Sequence, residues 1–332
     1  MQRWSAGVGE AAVHLSGGLD SGAVAAWLAR AGVRTGCFFL DFGPPYDAER
    51  PYAEETAAWL GLPLERVPVS PRRFGVGRML RDLAADLGEP WGDPVTLPLR
   101  LGYQAARVAG LSVVFNGEGG DQLLAGWPNR PMLAGELYAG VESSDDRIER
   151  YLRTFHHFYG LEEVAYGPEL RTVARDSDLR ELVRPFLEEP GLLRLFDRLR
   201  WANYWLKGGQ NILPRVAALA RSSGVAMATP FFDRRLARFA LTIPPELLLR
   251  GTEEKYLLKL ALGEAGLLPP AILSRPKRGM GVPATAWCLG PLRGAVRGLL
   301  RRLERRALFQ RDYLRSLARG EEVPGEVRGA RR

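Results

Sequence analysis

The sequence predicts an α/β fold in which a doubly wound parallel sheet is followed by a mainly helical C-terminal lobe. Two observations indicate this fold. In the first third of the chain, short apolar segments alternate with helix-like segments, a pattern typical of parallel sheets covered by helices. Beyond about residue 128, helix-like segments are interrupted by glycine and proline. Such sheets bind ligands at the carboxyl ends of their strands, so the loops that follow the strands are the expected location of the functional site.

Each element follows from its local pattern. Short runs rich in apolar and β-branched residues predict strands over 11–15, 33–40, 65–69 and 112–116. Apolar residues at helical spacing predict helices over 22–30, 50–60 and 99–109. In the second lobe, helices are predicted over 147–159, 181–187, 192–206, 213–221, 234–241 and 255–263. We therefore divide the chain into an α/β core at 1–130, a helical lobe at 131–292, and a basic amphipathic helix and tail at 293–332.

Charge is distributed unevenly along the 332 residues. The formal net charge is +8, but residues 293–332 hold twelve arginines and five acidic residues, a net of +7. In this segment, one apolar side of a single helix is predicted to hold Leu299, Leu300, Leu303, Leu308 and Phe309. Only four of the 46 basic residues are lysines, namely Lys207, Lys255, Lys259 and Lys277. A scarce lysine suggests a specific task, such as a point-charge contact with phosphate.

Composition excludes several classes of protein. A chain with 46% hydrophobic and 25% charged residues is neither disordered nor collagen-like, and two cysteines, Cys37 and Cys288, cannot form a disulfide framework. We find no apolar stretch long enough to span a membrane and no secretory signal, so we expect a cytoplasmic protein. The three histidines, His14, His156 and His157, lack partners at metal-ligand spacing and are interpreted as structural.

The first predicted strand runs directly into Ser16-Gly17-Gly18-Leu19-Asp20-Ser21 and then into a helix. Glycines let backbone amides close around an anion, and the helix N-terminus adds positive potential. A glycine-rich turn with an aspartate cap is the structural alternative. The spacing fits neither a Walker loop nor a dinucleotide fingerprint. The segment, here called the pyrophosphate loop, resembles the loop of N-type ATP pyrophosphatases, which cleave ATP between its α and β phosphates.

A second loop follows the strand predicted at 112–116. Residues 117–127 read Gly-Glu-Gly-Gly-Asp-Gln-Leu-Leu-Ala-Gly-Trp and resemble a motif of the asparagine synthetase family. Further matches to that family's synthetase domain lie at 230–233, 244–247, 255–259 and 275–283. The resemblance runs from about residue 9 to residue 295. It implies an adenine nucleotide α-hydrolase-like fold, which β-lactam synthetases and lasso-peptide cyclases share.

The resemblance also implies a reaction. A carboxylate is activated as an acyl-adenylate with release of pyrophosphate, and an amine or ammonia then attacks to give an amide and AMP. By this comparison the catalytic residues are Glu118 as general base, Lys277 as stabiliser of charge, and Lys255, which contacts pyrophosphate or pairs with Glu118. ATP is the substrate, and Mg²⁺ is assigned to Asp20 and Asp121.

The nucleotide site is assigned to the pyrophosphate loop and the neighbouring strand ends. An apolar adenine slot is implied by resemblance at Leu15, the strand end Phe39-Leu40-Asp41-Phe42, and Gly117. The polyphosphate would lie on Ser16, Gly17, Gly18, Leu19, Asp20 and Ser21. Asp47 and Glu49 precede the next helix and are interpreted mainly as helix caps.

Three departures from the family pattern affect the expected substrate. Asparagine synthetases have an N-terminal glutaminase domain, whereas here the pyrophosphate loop begins at residue 16, so we expect ammonia from a separate glutaminase or an amine on the substrate. Charged residues expected before Pro230 are replaced at Ala217, Ala218, Ala226 and Ala228, so aspartate is not the expected acceptor. In the second loop, Gln122 replaces a glutamate and Asn116 replaces a serine.

Two alternatives remain open from the sequence. A tRNA-modifying ATP pyrophosphatase would use the same first loop, and a non-catalytic ATP-binding partner subunit would explain the alanine replacements. The expected partners are a small-molecule or peptide carboxylate, a separate glutaminase subunit, and a second copy of the chain in a homodimer. Neither nucleic acid nor membrane is an expected partner, because the basic charge is confined to the terminal segment.

Overall fold

A computed structural model describes residues 2–73, 76–89, 93–126, 130, 132–134, 143–155, 158–276 and 279–321. Its centre is a five-stranded sheet formed by β1 (Glu10–His14), β2 (Arg34–Asp41), β3 (Leu64–Pro68), β4 (Val113–Phe115) and β5 (Ala226–Ala228). The strand order is β3-β2-β1-β4-β5, and all neighbouring strands are parallel. The predicted doubly wound α/β fold is confirmed.

The middle of the sheet is fully buried. Ala11, Ala12 and Val13 of β1 are inaccessible to solvent, and β1 pairs with β2 on one side and β4 on the other. Since both faces of these strands are covered, their sequences are continuously apolar rather than alternating. The parallel order brings the carboxyl ends of β1 and β4 side by side, because Val13 lies opposite Phe115.

Helices make up most of the remaining described chain. The short antiparallel pair β6 (Leu249–Arg250) and β7 (Glu253–Glu254) lies apart from the main sheet. A π-helix at Asn203–Ile212 and 3₁₀ turns at Pro71–Arg73 and Pro230–Phe232 interrupt the α-helical pattern. The α-helices are Gln2–Ser5, Leu19–Arg30, Arg50–Trp59, Val76–Leu87, Thr96–Val108, Gly120–Leu123, Ser144–Phe155, Glu162–Ala165, Pro168–Asp176, Leu179–Leu187, Leu195–Ala202, Leu213–Ser222, Arg234–Thr242, Pro245–Leu248, Tyr256–Glu264, Pro270–Leu273, Ala284–Leu289, Arg293–Arg305 and Arg311–Arg319.

The chain forms two compact units. The first comprises Met1–Ser70, Met79–Pro128 and Leu199–Val282 and contains the five-stranded sheet. The second comprises Pro71–Arg78, Asn129–Arg198 and Pro283–Arg332. The domain boundaries at residues 130 and 292 stay a prediction. Among the described helices, none is both long enough and apolar enough to cross a lipid bilayer.

The prediction of one C-terminal amphipathic helix is wrong. The helix Arg293–Arg305 ends before a turn in which Ala307 has a left-handed backbone (φ +53°), and a second helix follows at Arg311–Arg319. Leu308 and Phe309 lie between the two helices rather than on one helical side. Their backbone pairs elsewhere, since the amide of Gly167 donates to the Leu308 carbonyl at 2.8 Å and Phe309 forms a β-bridge with Tyr166.

Candidate functional site

The pyrophosphate loop lies where the sequence predicts it, between β1 and the helix Leu19–Arg30. Its two serines close the loop on itself. The Ser16 amide donates to Ser21 Oγ at 3.1 Å, and the two hydroxyl oxygens are 3.0 Å apart. Ser21 Oγ also donates to the Gly18 carbonyl at 3.2 Å. These bonds hold the loop at the N-terminus of a helix of three turns, where backbone amides favour an anion.

The second loop packs directly on the pyrophosphate loop through its glycines. A Cβ added at Gly117 would lie 2.7 Å from the Ser21 amide nitrogen, and one added at Gly120 would overlap the Asp20 carboxylate. A Cβ at Gly126 would overlap Asp121 and lie 2.5 Å from Lys255 Cε. A larger residue at Gly117 or Gly120 would therefore push the two loops apart, and one at Gly126 would displace Asp121 or Lys255.

Lys255 joins the two loops. Its ammonium forms an ion pair with Asp20 of the pyrophosphate loop and another, at 2.5 Å, with Asp121 Oδ1 of the second loop. The lysine side chain is only 3% exposed. Its backbone is left-handed (φ +56°, ψ 31°) immediately before the helix Tyr256–Glu264, a conformation that costs an L-residue about 1–2 kcal/mol. The predicted site residues Asp20, Asp121 and Lys255 are thus brought together from three distant segments.

The donor set fits a magnesium ion that is completed by its ligand. Asp20 and Asp121 offer hard carboxylate oxygens on either side of the Lys255 ammonium and are 13% and 19% exposed. Among the described residues, no group of three or more histidine, cysteine or acidic side chains is arranged as a self-sufficient metal site. Mg²⁺ commonly takes one or two carboxylates and completes its shell with substrate phosphates and water. Asp20 and Asp121 are therefore suited to a nucleotide-dependent ion.

Glu118 is held by its backbone. Its amide donates to Asn116 Oδ1 at 3.1 Å, and Asn116 Nδ2 in turn donates to the hydroxyl of Tyr103 at 3.5 Å. Tyr103 is fully buried, and burial raises the pKa of its phenol, so it stays neutral. Asn116, one of the departures from the family pattern, thus links the start of the second loop to the buried Tyr103 through its side-chain amide.

Most residues assigned to the adenine slot lie at the carboxyl ends of β1 and β2, and Gly117 follows β4. Leu15 is 1% exposed, Leu40 is 7% exposed, and the Leu15 amide donates to the Phe38 carbonyl at 2.9 Å. The Asp41 carboxylate accepts a hydrogen bond from the Gly43 amide at 2.9 Å, so it shapes the turn after β2. Lys277 lies outside the described residues, as do His156 and His157.

The cap interpretation fails for Glu49. It occupies the N-cap position of the helix Arg50–Trp59 but makes no side-chain cap bond, and instead forms an ion pair with Arg275. Asp47 pairs with Arg50 at 3.0 Å.

Sequence reasoning missed Arg275 as an individual residue of the site, although it begins the 275–283 motif. With Lys259 it lines a small cleft beside the pyrophosphate loop. Lys259 pairs with Glu253 at 3.1 Å. The cleft is bordered by Gly18, Leu19, Glu49, Glu254, Lys255, Lys259, Ile272, Arg275 and Pro276.

Comparison with known proteins identifies the family of the chain. Residues 6–329 match the family described as asparagine synthase, so the match extends through the basic C-terminal segment that the sequence motifs placed outside it. The chain is 23% identical to asparagine synthetase [glutamine-hydrolyzing] 1 of Bacillus subtilis (strain 168), over 91% of this chain and 51% of the relative. It therefore spans about half the length of that relative. The chain belongs to the asparagine synthase family.

Proposed function

We propose that the protein is an ATP-dependent ligase that activates a carboxylate as an acyl-adenylate and transfers the acyl group to ammonia or an amine. ATP is converted to AMP and pyrophosphate. The observation that carries this proposal is the position of Lys255 between Asp20 and Asp121. It places a cation and two carboxylates beside a loop whose backbone is shaped for phosphate.

Each group has a role that its position supports. The pyrophosphate loop binds the leaving pyrophosphate through backbone amides, and Lys255 balances its charge. Asp20 and Asp121 hold Mg²⁺, which when bound neutralises charge on the phosphates. Glu118 takes the proton from the attacking amine. Lys277 is proposed, from the motif alone, to stabilise charge at the reacting carbonyl or α-phosphate.

The acceptor is proposed to be a carboxylate other than aspartate. Strand β5 contains Ala226 and Ala228, two of the positions where charged residues were expected. Ala228 lies opposite Phe115, and its carbonyl accepts a hydrogen bond from the Asn116 amide at 3.1 Å. The missing charges therefore border the second loop, where an acceptor would approach Glu118. The nitrogen is proposed to come from ammonia that a separate glutaminase releases, or from an amine on the substrate itself.

Exchange of labelled pyrophosphate into ATP tests this function without knowledge of the nitrogen donor. The wild-type protein, with Mg²⁺, is assayed against a panel of amino acids and peptide carboxylates. We expect exchange that depends on one class of carboxylate and is abolished in Asp20→Ala. The exposed variant Asp312→Ala, whose carboxylate is 97% exposed, serves as the control. Tight ATP binding without exchange for any carboxylate would instead support a non-catalytic partner subunit.

A further inference from the structure

Arg275 makes three contacts that converge on the pyrophosphate loop. One guanidinium nitrogen, Nη1, donates to the Gly17 carbonyl at 2.9 Å, and Nη2 forms an ion pair with Glu49. The guanidinium carbon lies 3.9 Å from the centre of the Tyr52 ring. Its side chain is 8% exposed. A planar, buried guanidinium with two hydrogen-bond acceptors and a ring beneath it is held in one orientation.

Gly17 is pressed against the same helix that supplies Glu49 and Tyr52. Its backbone is left-handed (φ +76°), and an added Cβ would lie 2.6 Å from the Glu49 carbonyl oxygen and 3.1 Å from the Ala53 amide nitrogen. Arg275 therefore clips the pyrophosphate loop to the start of the helix Arg50–Trp59. Arg275 lies two residues before Lys277, in the same sequence motif.

The contact with the Gly17 carbonyl determines which way the next amide points. In a trans peptide the C=O of Gly17 and the N–H of Gly18 point in opposite directions. Because Arg275 holds the carbonyl, it fixes the Gly18 amide on the other side, where that amide donates a long hydrogen bond to Ser16 Oγ (3.4 Å) beside the N-terminus of the helix Leu19–Arg30. Rotation of this peptide would aim a carbonyl, rather than an N–H, at a bound anion.

We propose that Arg275 is a positioning residue that prevents rotation of the Gly17–Gly18 peptide and so keeps the pyrophosphate loop in its anion-binding form. This inference rests on the proposed function, since it takes the β and γ phosphates of ATP to be the ligand of the loop. Arg275 acts through the loop backbone and through its pair with Glu49, without itself contacting phosphate.

Equilibrium binding of Mg²⁺-ATP, inorganic pyrophosphate and AMP tests the proposal. We expect Arg275→Ala to weaken binding of ATP and pyrophosphate about 10-fold, the size expected for loss of a charge-assisted hydrogen bond, and AMP less than about 2-fold. AMP lacks the two phosphates that the loop holds. Arg30→Ala, which removes an exposed arginine stacked on Trp27 at the far end of the helix Leu19–Arg30, should change none of the three affinities.

Two conservative variants separate positioning from direct contact. Arg275→Lys keeps the charge but cannot hold Gly17 and Glu49 together, and Glu49→Gln weakens the anchor; each should weaken ATP binding, by less than Arg275→Ala. Stronger ATP binding by Glu49→Gln would show that the guanidinium is released to phosphate and would overturn the proposal.

Other results overturn it as well. Unchanged affinities in Arg275→Ala, or an equal loss of affinity for AMP, would exclude a specific effect on the loop. Thermal unfolding shows whether Arg275→Ala is folded. If that variant is not folded, Arg275→Lys replaces it in the binding measurements. A wild-type protein that binds AMP but neither ATP nor pyrophosphate would contradict the proposed function itself.

Discussion

Lys255 separates two carboxylates that would otherwise face each other. In Lys255→Met, Asp20 and Asp121 lose their shared counter-ion while they remain largely buried. We expect the free energy of unfolding to fall by about 3 kcal/mol, because removal of the buried cation leaves two neighbouring carboxylates that repel each other in a largely buried site. Mg²⁺ should restore part of this loss, since it can occupy the position between the carboxylates.

Denaturant unfolding with and without Mg²⁺ measures both effects. The matched control is Lys259→Met, which removes a lysine of the same segment that pairs with the single carboxylate of Glu253, itself 43% exposed. This control should lose less stability and gain nothing extra from Mg²⁺. A Lys255→Met protein as stable as the wild type, with no added response to Mg²⁺, would contradict the account of the paired carboxylates.

For single residues, the sequence predicted which side chains form the site better than it predicted their backbone conformations and ion pairs. The scarcity of lysine and the two loop motifs indicated Asp20, Asp121 and Lys255, and the structure brings these residues together. The left-handed backbone of Lys255 and the ion pair between Arg275 and Glu49 could not be predicted. Both depend on contacts between residues more than 200 positions apart, which no local pattern encodes.

The turn between the last two described helices stores backbone strain at Ala307. An alanine with φ +53° is disfavoured relative to glycine, so we expect Ala307→Gly to raise the free energy of unfolding by about 1 kcal/mol. The same change at Ala295, inside the helix Arg293–Arg305, should lower it by about 1 kcal/mol. Thermal or denaturant unfolding measures both. Destabilisation by both variants would show that the turn is not strained.

Elements with strong local signals were predicted well, and those defined by tertiary pairing were not. The strand β1 and the helix Leu213–Ser222 agree closely with their patterns. Strand β5, only Ala-Met-Ala, was missed because its conformation depends on pairing with β4. The predicted helix at 192–206 is instead an α-helix, Leu195–Ala202, continued by the π-helix Asn203–Ile212.

His14 makes the stability of the molecule depend on pH. It is buried at the end of β1 against Tyr103, with ring centres 4.6 Å apart, and burial lowers its pKa to about 4. Its pKa in the unfolded chain is about 6.5. The neutral form is favoured by folding, so this stability is present above pH 6.5 and is lost as the pH falls toward the folded-state pKa. We expect a loss of about 2 kcal/mol from His14 between pH 8 and pH 5.

Unfolding of the wild type and of His14→Gln at both pH values isolates this contribution. The variant should lose about 2 kcal/mol less between pH 8 and pH 5 than the wild type, whatever its absolute stability. Equal losses in the two proteins would show that His14 is not held neutral by burial.

For the whole molecule, the sequence predicted the α/β class and the family, because these depend on order and spacing along the chain. It misjudged the C-terminal segment. The family match continues through residue 329, so the arginine-rich helices belong to the matched region rather than to an appended tail. Charge counting located the basic residues correctly but could not show that a turn at Ala307 ends the first helix and a second helix follows.

We propose that this protein cleaves ATP between the α and β phosphates, and the reaction products test this cleavage most directly. The protein is incubated with Mg²⁺, ATP labelled at the α-phosphate, the carboxylate that supports exchange, and ammonia or an amine, and the nucleotides are separated by chromatography. We predict AMP and pyrophosphate in equal amounts, formed together with the amide. Accumulation of labelled ADP with inorganic phosphate would contradict the proposed mechanism.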